Sequence, residues 1–201
     1  THAASLPVAM IPNCAATRHA HFTLDGSGVA ELDPPSLEDW PQIEWDVGPR
    51  ARKVNLDELT PDDVATWQPG ETLLLSGSLI TGRDAAHKKL LSMIESGEGL
   101  PGGVNFDNKF IYYVGPVDPV REEVIGPAGP TTATRMDKFT DDLLQKTGLI
   151  GMIGKAERGP VAIQAIKKHK AVYLMAVGGA AYLVSKAIRK AKVIAFKELG
   201  M

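Results

Sequence analysis

The chain has 201 residues, 44% of them hydrophobic and 23% charged, with a formal net charge of −2. That is enough for one sizeable core or two small ones, with the composition of an ordinary globular protein. It excludes the overall basic bias of a general nucleic-acid binder, and no apolar run reaches the roughly 18–20 residues of a membrane span.

Residues 1–50 are rich in Pro, Gly and acids, with short apolar pieces at 6–10 and 21–24 that could be strands. This region reads as an irregular connecting segment, and 51–201 as the main domain. Thr60-Pro61-Asp62-Asp63 is a helix start: a capping hydroxyl, proline in the first turn, then acids at the positive helix end. Strands are expected at 72–75, 110–114, 149–153, 171–177 and 193–196. Helices are expected at 84–96, 136–146, 160–169 and 180–191, with Gly148 closing the second of these. The alternation predicts an α/β layer structure with a largely buried sheet. The opening Thr1-His2-Ala3 has no initiator methionine, which suggests part of a longer protein, and no secretory leader is expected.

Charge is unevenly spread. From Asp25 to Asp63 there are eleven acids against three bases, and from Gly151 onward ten Lys or Arg against two acids. Solvated faces account for most such charges; the sharper reading is a second half that faces something anionic. Three βα junctions place Gly next to a strand end with a basic residue just beyond: Gly82-Arg83-Asp84, the run from Gly126 to Asp137 that contains Arg135, and Gly154-Lys155-Ala156. Helix starts attract anions, glycine admits a ligand close to the backbone, and Arg matches a carboxylate with two parallel bonds. Arg83, Arg135 and Lys155 on converging loops suit a small dianion with a carboxylate at each end. Each alone is more often a surface or ion-pair residue. If the helix has begun by Thr131, Thr131 and Arg135 share a face and form a candidate proton-transfer pair. An N-cap is the commoner role for threonine at a helix start, and both readings stay open. His87, one turn after Arg83, could orient it, although a helix-surface histidine is the plainer reading. Cys14 is the sole cysteine; it excludes an internal disulfide and fits a reducing, cytoplasmic setting. His19 and His21 lack a third ligand.

The stretches 76–87, 112–116, 126–137 and 172–181 resemble the C-terminal, β-type domain of class I iron–sulfur fumarate hydratases. Gly-Pro-Thr-Thr-Ala-x-Arg-Met-Asp, here Gly129 to Asp137, is the most specific of the matching motifs. The resemblance implies a swivelling three-layer β/β/α domain with a mixed sheet, preceded by the connecting segment. It implies reversible conversion of L-malate to fumarate and water. The implied 4Fe–4S cluster is held by cysteines, one of them Cys14 and the others in a separate N-terminal cluster domain. Without that domain the isolated chain is expected to be inactive. The resemblance gives Thr131 the catalytic role, and Arg83, Arg135 and Lys155 the substrate grip. His2 falls where a histidine reaches substrate from a partner subunit. The implied partners are a small dicarboxylate, the cluster domain and a second copy in a homodimer, with no nucleic acid and no membrane. A tartrate dehydratase-type hydro-lyase and a non-catalytic dicarboxylate-binding or assembly domain are the alternatives.

Overall fold

The computed structural model describes residues 51–119 and 123–199, together with Gly26, Gly48 and Pro49. The chain divides between Asp46 and Val47 into two units, and every helix and strand named below belongs to the second, Val47–Met201. The strands expected at 6–10 and 21–24, and the candidates His2, Cys14, His19 and His21, lie outside the described residues.

The first strand, β1 (Arg52–Asn55), precedes α1 (Pro61–Ala65). Thr60 caps α1 as its sequence predicts. Its hydroxyl accepts from the Asp63 N–H, and the Asp63 carboxylate accepts from the Thr60 N–H, a reciprocal pair that satisfies two helix-end donors. β2 (Leu73–Ser76) then pairs with β1 in parallel. The other strands form one parallel sheet in sequence order: β3 (Ile80–Thr81), β4 (Phe110–Tyr112), β5 (Gly151–Gly154) and β6 (Val172–Met175). Helices α2 (Asp84–Glu95), α3 (Asp137–Thr147), α4 (Pro160–Lys168) and α5 (Ala181–Ala187) fall between or after them. A 3₁₀ turn, Ala133–Met136, leads into α3, which ends at a left-handed Gly148, φ 72°.

The β4 region shows why the sheet is buried on both sides. Phe110, Tyr112 and Val114 join a core cluster with Val54, Leu56 and Val64 from the β1–α1 side. Ile111 and Tyr113 join the opposite cluster with Leu90 of α2 and Leu143 and Leu144 of α3. Successive side chains alternate between the two cores, and each large side chain buried this way contributes about 1.5–3 kcal/mol. The α/β class is as the alternation predicts. Every strand pairing among the described residues is parallel, where a mixed sheet is the expectation.

The differences from sequence have local causes. β1 and β3 escape prediction because β1 has only Val54 buried and β3 is two residues long. Residues 193–196 form no strand. Val193 and Ile194 are exposed, Phe196 packs against the helix-side core, and the 3₁₀ turn Lys197–Leu199 is tied to α2 by the Lys89–Glu198 ion pair. Helix α5 stops at Ala187, short of 191; Lys186 and Lys190 would stack like charges one turn apart.

One buried charge ties three elements together. The Arg158 side chain is 1% exposed. Its Nε donates to Asp137 Oδ1 at 2.7 Å, Nη2 to Thr140 Oγ1 at 2.5 Å and Nη1 to the Tyr113 hydroxyl at 3.4 Å. Asp137 Oδ2 also accepts the Gly159 N–H at 2.7 Å, at the start of α4. Removing one partner of such a pair strands the other. Arg158→Met should therefore lower unfolding stability by about 3–5 kcal/mol, read from urea midpoints of the full chain.

Candidate active site

The segment 131–133 assembles the carboxyl end of the sheet. β4 and β5 are paired through Tyr112 and Ile153. Tyr113 still donates its N–H to the Ile153 carbonyl, but beyond it the two chains part. Thr131 enters the gap. Its N–H donates to the Tyr113 carbonyl at 2.8 Å, and its own carbonyl accepts the Lys155 N–H at 3.0 Å. Ala133 then donates to the Lys155 carbonyl at 2.9 Å. Thr131 is thus extended, not helical, and the shared helix face with Arg135 does not form. Nor is Thr131 a cap: its Oγ1 donates to the Tyr113 carbonyl at 2.8 Å, and Thr132, at the cap position, makes no side-chain cap bond.

Two cations stand just past strand ends, and a third lies in the 3₁₀ turn after the wedge. Arg83 follows β3 and occupies the N-cap of α2. Its guanidinium lies on the backbone of Gly115: a Cβ built there would stand 2.5 Å from Arg83 Cζ. Lys155 follows β5, and its stem crosses Gly178, where a Cβ would stand 3.2 Å from Lys155 Cδ. The missing side chains at 115 and 178 thus make room for the two cations. Arg135 sits one turn farther out, 48% exposed, with Nη1 3.8 Å from Asp84 Oδ2. Such a pair is worth about 0–1 kcal/mol, so an arriving anion can displace Asp84. Arg135 also borders an open groove of about 570 Å³ with Thr134, Lys138 and Gly159; Arg83, Thr131 and Lys155 do not line it. Arg83, Thr131 and Lys155 therefore lie at neighbouring strand ends of one sheet, and Arg135 lies in the 3₁₀ turn beyond Thr131.

Three features of this region are not visible in the sequence. Arg158 neutralises Asp137, which would otherwise oppose an anion bound near Arg135. Its oxygen partners are 18 to 45 residues away in the chain, so no local motif announces it. Ala156 adopts φ 64°, uncommon for a residue with a Cβ, while the Tyr173 hydroxyl donates to its carbonyl at 2.7 Å. His87 is buried at 2% exposure, against the surface reading. Burial holds its imidazole down at about 4, assisted by the Arg158 charge and opposed by the Arg83 hydrogen bond and the Asp84 charge. Burial likewise pushes the Tyr113 phenol up to about 12, so it stays protonated under the Arg158 guanidinium.

A parallel α/β sheet with a hydroxyl and cations at its carboxyl edge is an arrangement in which ligands commonly sit at strand ends. The chain belongs to the family described as the fumarase C-terminus, which matches residues 26–201. It is 34% identical over 207 residues to "Fumarate hydratase class I, aerobic" of Salmonella typhimurium, covering 100% of this chain and 35% of that protein. It is 33% identical to "Fumarate hydratase 2" of Leishmania major, covering 100% of this chain and 36% of that protein. It is 32% identical over 152 residues to "Putative L(+)-tartrate dehydratase subunit beta" of Methanocaldococcus jannaschii, covering 74% of this chain and 77% of that protein. The chain spans about a third of the length of the curated fumarate hydratases it matches.

The buried histidine has a consequence for acid stability. Its folded-state value, about 4, lies below the 6.5 of an unperturbed histidine. The unfolded chain therefore takes up this proton first as pH falls. Stability is unaffected above pH 6.5 and should decline between 6.5 and about 4, by roughly 3 kcal/mol from this group. Urea unfolding of the full chain at several pH values should show that decline, and His87→Asn should lack this component of it.

Proposed function

We propose that this chain is the substrate-gripping half of a hydro-lyase that interconverts L-malate and fumarate. The observation that carries the reading is the convergence of Arg83, Thr131 and Lys155 on adjacent strand ends, in a chain of the fumarase C-terminus family. We read the small sheet against one face of the larger one, with helices on the other, as the swivelling three-layer domain. The residues before it, 1–50, are taken as the connecting segment. The protein is proposed to work in the cytoplasm as a homodimer; among the described residues no helix is long and apolar enough to cross a membrane.

The grip follows from charge and geometry. Arg83 offers a planar fork to one carboxylate, while Lys155 supplies a point charge on the far side of Thr131. Arg135 releases Asp84 to meet the second carboxylate from the rim. Together they stabilise the negative charge that develops at the carbon next to a carboxylate. Thr131 moves the proton at C3. Its neutral hydroxyl, donating to the Tyr113 carbonyl, carries the proton that hydration of fumarate adds at C3. Dehydration of malate reverses the transfer, and the surrounding cations lower the cost of the alkoxide.

Among the described residues no three His, Cys, Asp or Glu side chains converge as metal ligands, and the sequence holds one cysteine. This chain's described residues do not by themselves fit a 4Fe–4S cluster. Cys14 is proposed as one ligand of a cluster completed by an N-terminal cluster domain, and His2 as a substrate contact across the dimer. Loss of the malate hydroxyl is assigned to no residue of this chain.

A second reading, dehydration of tartrate, is favoured by the similarity to the tartrate dehydratase β subunit, of which this chain covers 77%. Rates of the full-length protein, prepared without oxygen and supplied with iron and sulfide, on malate and on tartrate separate the two. In that protein Thr131→Ala should lower kcat by about 100-fold or more while KM changes little; an intact kcat with raised KM would remove Thr131 from proton transfer. Gly115→Ala should do the reverse. Displacing the Arg83 guanidinium by about 1 Å should raise KM on the order of tenfold, with thermal stability preserved.

A further inference from the structure

We infer that His87 is a positioning residue for the dicarboxylate grip, holding Arg83 and Thr131 in register through a single neutral imidazole; this rests on the reading of Arg83 as a carboxylate clamp.

Arg83 is an unusual residue to begin a helix. Ser, Thr, Asp or Asn at the N-cap supplies a side-chain oxygen to the first turn, whereas Arg83 makes no side-chain cap bond. Its backbone is extended, φ −127° and ψ −166°, and its side chain is directed onto Gly115 instead. What fixes it is its carbonyl, which accepts two bonds from one residue. The His87 backbone N–H donates at 2.9 Å, and His87 Nδ1 lies 2.6 Å from the same oxygen. A carbonyl only accepts, so the imidazole proton is on Nδ1 and Nε2 bears the lone pair.

The opposite edge of the ring confirms that tautomer. Nε2 is buried and makes no hydrogen bond. The ring borders an apolar cavity of about 80 Å³, among Leu90, Ile111, Val114 and Phe196. A second proton would place an N–H and a positive charge where nothing accepts either. The neutral Nδ1–H form is the one the cavity permits.

The same ring also bears on the proton-transfer residue. His87 meets Tyr113 edge to face, with ring centroids 5.4 Å apart, and lies 5.9 Å from Phe139 of α3. Tyr113 is the residue whose carbonyl receives both the Thr131 N–H and the Thr131 hydroxyl. One side of the imidazole therefore sets the start of α2, and with it the aim of Arg83. The other packs on the strand residue that holds Thr131. His87 is buried behind both and touches no substrate.

Two amides of similar size test this. Asn can place an N–H where Nδ1 stands, and Gln places its amide nearer Nε2, out of reach of the Arg83 carbonyl. The full-length protein, prepared without oxygen with iron and sulfide, would be assayed as wild type, His87→Asn, His87→Gln and His87→Leu. Rates on malate and fumarate are referred to folded, cluster-loaded enzyme. The expected result is KM raised on the order of tenfold in the Gln and Leu variants, with Asn within about threefold of wild type. Leu suits the apolar cavity and answers the question if Gln does not fold. A role in packing alone would alter the yield of folded enzyme and leave KM unchanged; KM at the wild-type value in both Gln and Leu, or raised equally in Asn, overturns the inference. If the wild type turns over neither malate nor fumarate, the malate–fumarate reading fails by itself. Calorimetric Kd values for succinate on the same proteins then decide the positioning role by the same pattern.

Discussion

The carboxyl edge of the sheet depends on two backbone hydrogen bonds, from Thr131 to the Tyr113 carbonyl and from Lys155 to the Thr131 carbonyl. They hold a third segment between two strands that would otherwise continue side by side. A parallel sheet usually closes its end with loops that turn away to helices. Here one returning loop is built into the ladder, so Thr131 and Lys155 are fixed by main-chain geometry rather than by side-chain packing. A side chain on hydrogen-bonded backbone loses less entropy on binding than one on a free loop. That is the physical ground for the proposed proton-transfer role of Thr131.

Several acids of the domain are engaged by partners of their own. Asp137 is consumed by Arg158 and by the start of α4, and Asp57 by Ser78 and Lys109. Asp84 remains as the carboxylate facing Arg135, at a separation and exposure where water competes well. The buried Arg158 thus organises the helix starts and neutralises the Asp137 carboxylate. Its charged centre lies over the rings of Tyr113 and Tyr173, 5.5 and 5.1 Å from their centroids.

Much of this was legible in the sequence, for reasons that differ by element. Helices α2, α3 and α4 carry strong apolar periodicity and clear stops, and their observed spans fall within a few residues of the expected ones. The cap at Thr60 is a local motif and forms as its residues predict. Arg83, Arg135 and Lys155 could be singled out because a glycine and a cation beside a strand end is also a local pattern. What escaped is non-local. Whether Thr131 begins a helix or joins a sheet is decided by the open edges of Tyr113 and Lys155, which its own neighbours do not encode. His87 reads as a surface residue from helix spacing, yet Tyr113 and Phe139 cover it. Arg158 has no partner within its own loop. The short β3 was invisible because two residues carry no periodicity.

The all-parallel pairing also governs how the domain can come together in time. Antiparallel strands can zip from a tight hairpin, but each neighbour here is reached only through a long crossover. Loop-closure entropy must be overcome at every step before ladder bonds compensate for it. The wedge has a stricter requirement: it needs Tyr113 and Lys155 already side by side, and so follows the docking of β4 on β5. The cationic edge is therefore expected to form late in folding. On the proposed function, a small diacid bound at the finished edge would act on that last step, slowing its reversal more than it speeds its formation.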